Sequence, residues 1–276
     1  TYLKLEPAPA LSSRLTGELT AFHSWTAEMF DDPEGDIGLT AAGTDNRIVS
    51  WGANLRSTVF APVVPLSLDL FLEGKRERFR PVDHLPELRE GPDRTRNSVT
   101  SAAAANLSLL EDRAVLTAGA RSIWSESEFY DQQPFPWLPP VSRGRIEDSR
   151  LSPHAGIRIQ PAGHITLKAN MGKHYRVPTF FELFGNTGSV TGNASLQPEE
   201  GLNRDIGLIY SSDRIWFLRR PYLETLYFDN RTENLILFFP NSQRTVKPSN
   251  IGSARVRGVE LSASASPARS GWRSHR

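Results

Sequence analysis

The chain has 276 residues, 38% of them hydrophobic, a mean hydropathy of −0.39 and a formal net charge of +1. No stretch approaches the roughly 20 apolar residues that a spanning helix needs, which excludes a helical membrane protein. A transmembrane barrel stays possible, because alternating lipid-facing and lumen-facing residues keep the average polar. The near-zero charge argues against nucleic acid as a partner. The absence of cysteine excludes disulfides, thiolate metal sites and a cysteine nucleophile.

Period-two alternation dominates the sequence and predicts strands with one apolar and one polar face. In the clearest case, Val49, Ala53 and Leu55 alternate with Asn54 and Arg56. We therefore expect an all-β fold, an antiparallel meander of about eleven long strands that forms part of a transmembrane β-barrel. In chain order the predicted strands are 1–6, 13–28, 46–61, 66–78, 97–110, 113–129, 149–160, 163–176, 201–211, 214–229 and 250–266. The weakest is 214–229, because Arg219-Arg220-Pro221 interrupts it.

The connections between these strands alternate in length. The short ones are Pro7–Ser12, Pro62–Pro65, Glu111-Asp112, Pro161-Ala162 and Ser212-Asp213. The long ones are Met29–Asp45, Phe79–Arg96, Tyr130–Asp148, Val177–Glu200 and Leu237–Ser249. All long loops would then leave one end of the sheet, which is typical of outer-membrane barrels with short periplasmic turns and long extracellular loops.

The alternation also predicts which residues face lipid. The residues expected to point outward are Val49, Ala53, Leu55, Leu68, Leu70, Leu107, Leu167 and Ala169. The residues expected to point into the lumen are Asn54, Arg56, Asp69, Asn106, Lys168 and Asn170. A register slip of one residue would invert this assignment.

Chemistry that would indicate an enzyme is missing from the sequence. The six histidines show no metal-binding spacing, and no nucleophile elbow, P-loop or dinucleotide fingerprint is present. We therefore predict no catalytic residue, no metal site and no cofactor.

Two segments carry a resemblance to a known family. Residues 176–184 contain Arg176, Pro178, Thr179, Glu182, Leu183 and Phe184, and a Gly-rich stretch then leads to Gly192, Asn193, Leu196, Pro198 and Glu199. Further along, Asn250, Gly252, Gly258 and Glu260 form an N-x-G-x-A-x-x-x-G-x-E pattern. These segments resemble motifs in the barrel of TonB-dependent outer-membrane receptors. We interpret the motif residues as structural, with Arg176 and Glu182 fixing the loop by an ion pair or backbone hydrogen bonds.

The resemblance implies a function and a set of partners. Such receptors lie in the bacterial outer membrane and contact its lipid. They bind a scarce small-molecule solute such as a ferric siderophore or cobalamin, and the inner-membrane TonB complex energises uptake. A plug domain fills their barrel, but neither a plug domain nor a TonB box is recognised in this sequence. We therefore expect a fragment, with residues 1–266 as a partial barrel and residues 267–276 as an irregular tail produced by truncation or a frameshift.

Aromatic residues give two further predictions. Trp25, Trp51, Trp124 and Tyr130 lie near predicted strand ends, where a barrel carries its interfacial girdle. Tyr130, Phe135 and Trp137 lie in or beside a long loop and are candidates for stacking on a solute, although packing within the loop is an equal alternative. Two other readings of the whole chain remain: a passive, porin-like or structural outer-membrane barrel, and a soluble all-β enzyme or adhesin.

Overall fold

The computed structural model describes residues 2–5, 14–36, 42–85, 89–90, 93–130, 143–185, 190–242 and 245–267. Strands account for most of them. In chain order the elements are β1 (Tyr2–Leu5), β2 (Leu15–Asp32), β3 (Ala42–Phe60), β4 (Leu66–Arg80), β5 (Val82–Leu85), β6 (Arg89–Glu90), β7 (Arg94–Leu109), β8 (Ala114–Tyr130), β9 (Arg143–Ala162), β10 (Ile165–Arg176), α1 (Phe180–Phe184), β11 (Glu199–Ser211), β12 (Arg214–Ile215), β13 (Leu218–Glu233), β14 (Ile236–Ser242), β15 (Thr245–Asn250) and β16 (Ser253–Pro267).

The main sheet is an antiparallel meander, as predicted. Its eleven strands are β1, β2, β3, β4, β7, β8, β9, β10, β11, β13 and β16, and strands that are adjacent in this order are paired. Within the described residues β1 pairs only with β2, and β16 only with β13, so the sheet is open at both edges. Most of these strands have 12 to 20 residues, above the roughly 9–11 that a tilted strand needs to cross a bilayer.

One predicted connection and one predicted strand are wrong. The segment Leu237–Ser249 is not a plain loop, because β14 and β15 form a separate antiparallel hairpin there. The predicted strand 214–229 is divided: β12 and the start of β13 form a small hairpin, and the register shifts between Arg219 and Tyr222. The shift occurs where Arg220 has a φ of 48° and Pro221 has no amide proton for the ladder.

The two faces of the sheet separate as the alternation predicts. Leu68 lies opposite Val59 on one side and Ala105 on the other, whereas Asp69 lies opposite Thr58 and Ala104. The polar face is linked across strands by side-chain hydrogen bonds. They join Thr58 to Asp69 at 2.7 Å, Asn106 to Asp69 at 2.8 Å, Thr117 to Asn106 at 2.8 Å and Asn170 to Asp205 at 2.8 Å.

The polar face is the inner face, because the non-strand structure folds onto it. A cavity lies against it, lined by Arg56, Asp69, Phe71, Glu73, Arg121 and His154, and α1 packs over the same face further along. The opposite face exposes large apolar side chains, including Leu55, Leu70, Leu167, Ile206, Leu208 and Leu261. An apolar outer face around a polar interior is the arrangement of a transmembrane barrel. Separately, no helix in the described ranges is long and apolar enough to cross a membrane.

Candidate functional site

The candidate site lies at the end of the sheet from which the long connections leave, which we call the long-loop end. The chain leaves β10 at Arg176, and Pro178 cannot continue the strand ladder. The segment then forms the single helical turn α1, runs back through residues 190–198 and enters β11. The β14–β15 hairpin packs beside it, so that these two excursions form one compact unit.

A partly buried charge cluster stabilises the base of this unit. Arg176 donates to both oxygens of Glu199 at 2.7 Å each and to both oxygens of Glu182 at 3.0 Å each. The ion pair between Arg176 and Glu182 that the sequence predicts is therefore present. The guanidinium joins three places on the chain: the end of β10, α1 and the start of β11. Because Oε1 of Glu199 also accepts from the Ile236 amide at 2.8 Å, the cluster reaches the β14–β15 hairpin as well.

The helix α1 begins with a capping box. Thr179 is the N-cap; its Oγ1 accepts from the Glu182 amide at 3.2 Å, and its own amide donates to Glu182 Oε2 at 2.7 Å. Burial raises the pKa of the Glu182 carboxyl, but hydrogen bonds from Arg176 and the Thr179 amide outweigh burial and lower it overall. Glu182 is therefore an anion at neutral pH and serves the cap and the charge cluster together.

Two asparagines of the predicted motifs hold residues 190–198, the segment between α1 and β11, in place by hydrogen bonds. Asn193 donates to the Pro248 carbonyl at 2.9 Å and accepts from the Ser195 amide at 3.1 Å. Asn250 accepts from the Gln197 amide at 2.8 Å and donates to the carbonyls of Gln197 at 2.9 Å and Asn234 at 2.7 Å. Each amide side chain thus links two separate segments, a use for which both donor and acceptor groups are required.

The remaining motif residues either pack in the apolar core of the unit or, as glycines, allow a close approach or a positive φ of the backbone. Leu183 and Leu196 are buried with Ile236, and Phe184 packs against them. A Cβ on Gly192 would lie 2.3 Å from the Phe184 carbonyl carbon, so only glycine fits there. Pro198 is buried just before Glu199. In the N-x-G-x-A-x-x-x-G-x-E segment, Gly252 has a φ of 46°, and Gly258 and Glu260 lie on β16 opposite Phe228 and Leu226.

Sequence reasoning missed a group of aromatic and arginine residues on the inner face. Phe180 of α1 stacks on Phe79 with ring centroids 5.5 Å apart and planes 7° apart. The Arg94 guanidinium lies 4.6 Å from the Phe184 centroid, and Arg96 lies 4.7 Å from that of Phe180. These contacts seat α1 on the inner face. Arg94 and Arg96 alternate at the start of β7, and this spacing was the available signal that both point inward.

The two arginines differ in their partners. Arg96 donates to Ser127 Oγ at 2.9 Å and to the Pro178 carbonyl at 2.8 Å. Arg94 is only 5% exposed, and its Nε has no hydrogen-bond partner among the described residues. It is the first residue of β7, level with α1 and beyond the part of the strand needed to span a bilayer. Burial lowers the pKa of Arg94 to about 10, so the guanidinium still carries its charge at neutral pH.

Of the three aromatic residues predicted to contact a solute, only one lies in the described part of the chain. Tyr130 is the last residue of β8, and Phe135 and Trp137 lie outside the described residues, so their contact with a solute stays a prediction. The described part of the chain contains no group of three histidine, aspartate or glutamate side chains placed to hold a metal ion.

Comparison with known proteins identifies the family. Residues 11–275 match the family model "TonB dependent receptor-like, beta-barrel". A vitamin B12 transporter, BtuB, of Vibrio vulnificus is 27% identical over 127 residues, which are 42% of this chain and 18% of that protein. Transferrin-binding protein A of Neisseria meningitidis serogroup B is 27% identical over 121 residues, 40% of this chain and 13% of that protein.

Solved structures agree with the observed fold. The copper transporter OprC superposes with a TM-score of 0.77 at 17% identity, over 96% of this chain and 44% of that one. The FrpB iron transporter of Neisseria meningitidis (F5-1 variant) gives 0.68 at 17% identity, over 96% of this chain and 41% of that one. The chain thus spans less than half the length of these relatives. Its match to the family model covers nearly all of its residues, and the chain belongs to the TonB-dependent receptor-like β-barrel family.

Proposed function

We propose that this chain forms membrane-spanning barrel strands of a bacterial outer-membrane receptor. The receptor would take up a scarce solute with energy from the inner-membrane TonB complex. The observation that carries this proposal is the family match over residues 11–275. The names of similar proteins also support a role in uptake, because they include a vitamin B12 transporter and a copper transporter. On this proposal residues 1–266 belong to the barrel domain, residues 267–276 are an irregular tail, and a plug domain occupies the lumen.

The architecture supports a membrane-embedded receptor. The outer face exposes large apolar side chains on many of its strands, whereas the inner face carries linked polar groups on which a plug domain or water could form hydrogen bonds. We assign the long-loop end to the outside of the cell. The motif residues around Arg176, Asn193 and Asn250 then act structurally, because their polar groups bond to other parts of the unit at the long-loop end and are not left to bind a solute.

The β14–β15 hairpin provides the best candidate for solute contact. Its residues Leu237, Phe238 and Phe239 are 41–42% exposed although they are large and apolar. The Phe238 ring lies 5.9 Å from that of Phe181 in α1, which anchors the patch to the unit at the long-loop end. An exposed apolar patch on a fixed hairpin is a binding surface for the apolar or aromatic part of a solute. Tyr130, Phe135 and Trp137 are proposed as additional contacts.

Uptake measurements test this proposal. The full receptor is produced in a strain lacking its own outer-membrane receptors, and uptake of ferric siderophores, cobalamin and copper is measured with and without TonB. We expect uptake of one solute that requires TonB. Replacing Phe238 and Phe239 with serine should lower that uptake, whereas serine at Val63, an exposed residue of a short turn, should not. Uptake that persists without TonB would instead indicate a passive, porin-like barrel.

A further inference from the structure

The outer face of β11, β13 and β16 carries a concentrated group of arginines near the long-loop end. Arg204, Asp229 and Arg257 lie side by side in one row across the three strands. The next row toward the long-loop end places Arg231 opposite Arg255. Neighbouring strands are about 4.8 Å apart and same-face rows about 7 Å apart, so these five side chains occupy a small area. All four arginines are exposed.

A single carboxylate, that of Asp229, lies within this group. Arg255 binds Asp229 at 2.7 and 2.6 Å, Arg231 lies 3.8 Å from the same carboxylate, and Arg204 adds a longer-range attraction. Four guanidinium charges therefore face a single negative charge. Lys173, in the row of Arg231, adds another cation, and two carboxylates, Glu200 and Glu233, lie opposite each other one row further toward the long-loop end. The group keeps a clear excess of positive charge with these neighbours included.

The position of the group suggests what neutralises it. The adjacent row on the other side is Ile206, Tyr227 and Val259, all large and exposed. This row belongs to the apolar outer face. The arginines therefore begin where the apolar surface ends, which is the level of lipid headgroups if the strands span a membrane. Tyr227 fits this boundary as well, since tyrosine is enriched at the headgroup level.

We propose that Arg204, Arg231, Arg255 and Arg257 form a binding site for the phosphate group of a membrane lipid, with its acyl chains lying along Ile206, Tyr227 and Val259. The inference rests on the proposed placement of these strands in the outer membrane. Guanidinium groups suit phosphate because they donate paired hydrogen bonds to its oxygens.

Another part of the same face provides a contrast. Arg145 on β9 lies at the same end of the sheet, but it pairs with Glu126 at 2.7 Å and Glu147 at 3.5 Å. Its charge is already matched by carboxylates. A lipid phosphate gains little there, so Arg145 is the control position for the proposed site.

The test measures lipid retained by the full-length receptor in detergent, by native mass spectrometry. The probes are phosphatidic acid and diacylglycerol with the same chains. We expect the wild-type protein and Arg145→Gln to retain phosphatidic acid at least about tenfold more than diacylglycerol. The triple variant Arg204→Gln, Arg231→Gln, Arg257→Gln should lose most of that preference, since each arginine near an anionic lipid contributes about fivefold. Arg255 is kept in the variant so that Asp229 retains its partner.

Two results would overturn the proposal. One is equal retention of phosphatidic acid by the triple variant and the wild-type protein. The other is displacement of the lipid by an equal concentration of inorganic phosphate, which would make the group a site for free anions. Uptake is assayed on the same proteins. If the lipid test fails but uptake is normal, the lipid site is refuted and the proposed function stands. If lipid is retained but uptake is absent, the proposed function is refuted and the lipid site stands.

Discussion

Replacing Arg176 with methionine tests the charge cluster at the base of the long-loop unit. The substitution removes four hydrogen bonds of 2.7–3.0 Å and leaves the carboxylates of Glu182 and Glu199 close together without their shared cation. Breaking a fully buried ion pair costs about 3–5 kcal/mol. The Arg176 side chain is 40% exposed, however, so solvent screening reduces the expected cost to about 2–3 kcal/mol.

Hydrogen exchange of backbone amides measures this cost locally. The amides of Thr179 and Ile236 donate to Glu182 and Glu199, so their protection reports directly on the cluster. A loss of about 2–3 kcal/mol should speed their exchange roughly 30- to 150-fold, since each 1.4 kcal/mol is a factor of ten. The control is Arg145→Met, because Arg145 is 57% exposed and its surface pair contributes less than about 1 kcal/mol.

A double-mutant cycle then isolates the pair. Glu182→Gln keeps the shape of the side chain but removes its charge, and we expect the effects of Arg176→Met and Glu182→Gln to be strongly non-additive. If Arg176→Met speeds exchange no more than Arg145→Met does, or if the two changes simply add, then the cluster does not hold the unit together and the reasoning is refuted.

Three further predictions follow from other contacts. First, because the folded-state pKa of Glu182 is lowered, its stabilising effect is complete above the ordinary glutamate range near 4.5 and is lost as the pH falls through the folded value. Protection of the Thr179 amide should fall accordingly. The variant Glu182→Gln should reduce this pH dependence, and the remainder comes from Glu199, whose pKa is also lowered by its hydrogen bonds from Arg176. Second, Ala103→Arg on the outer face should cost about 2–4 kcal/mol in lipid vesicles, whereas Ala104→Arg on the inner face should be mild; equal costs in urea unfolding would contradict the face assignment. Third, Gly185→Ala should lower the melting temperature far more than Gly252→Ala. Both glycines have positive φ, but only at Gly185 would a Cβ lie too close to another atom, 2.2 Å from the carbonyl oxygen of Val190. Similar shifts in melting temperature for the two variants would contradict this prediction.

The sequence predicts the long strands well because each carries the alternation over many residues. A strand such as β7 carries the pattern from Val99 to Leu109, so the exception at Ser101 does not hide it. Short elements lack this redundancy. The residues Ile236, Leu237, Phe238 and Phe239 at the start of β14 are four apolar residues in succession and show no period of two, so the sequence predicts a loop over Leu237–Ser249. The five-residue α1 is likewise too short to show a helical period.

The candidate site is predictable only in part, for a similar reason. The ion pair between Arg176 and Glu182 spans six residues and follows from the motif. The contact of Arg96 with Pro178 spans 82 residues. It depends on α1 folding back over the inner face, which no local pattern indicates. The roles of Phe135 and Trp137 and the irregular nature of the tail remain predictions, because Phe135, Trp137 and residues 268–276 lie outside the described ranges; Pro267, the first residue of the predicted tail, is the last residue of β16.

Cysteine labelling on whole cells tests most directly whether the strands cross the outer membrane with the long-loop end outside. The chain has no native cysteine, so single cysteines can be placed freely. We predict that Glu34→Cys and Thr191→Cys, both exposed at the long-loop end, react with a membrane-impermeant maleimide on intact cells. Val63→Cys and Asp112→Cys, exposed in the short turns at the other end, should react only after the cells are lysed. Labelling of Val63→Cys on intact cells, at the rate seen for Glu34→Cys, would contradict the account.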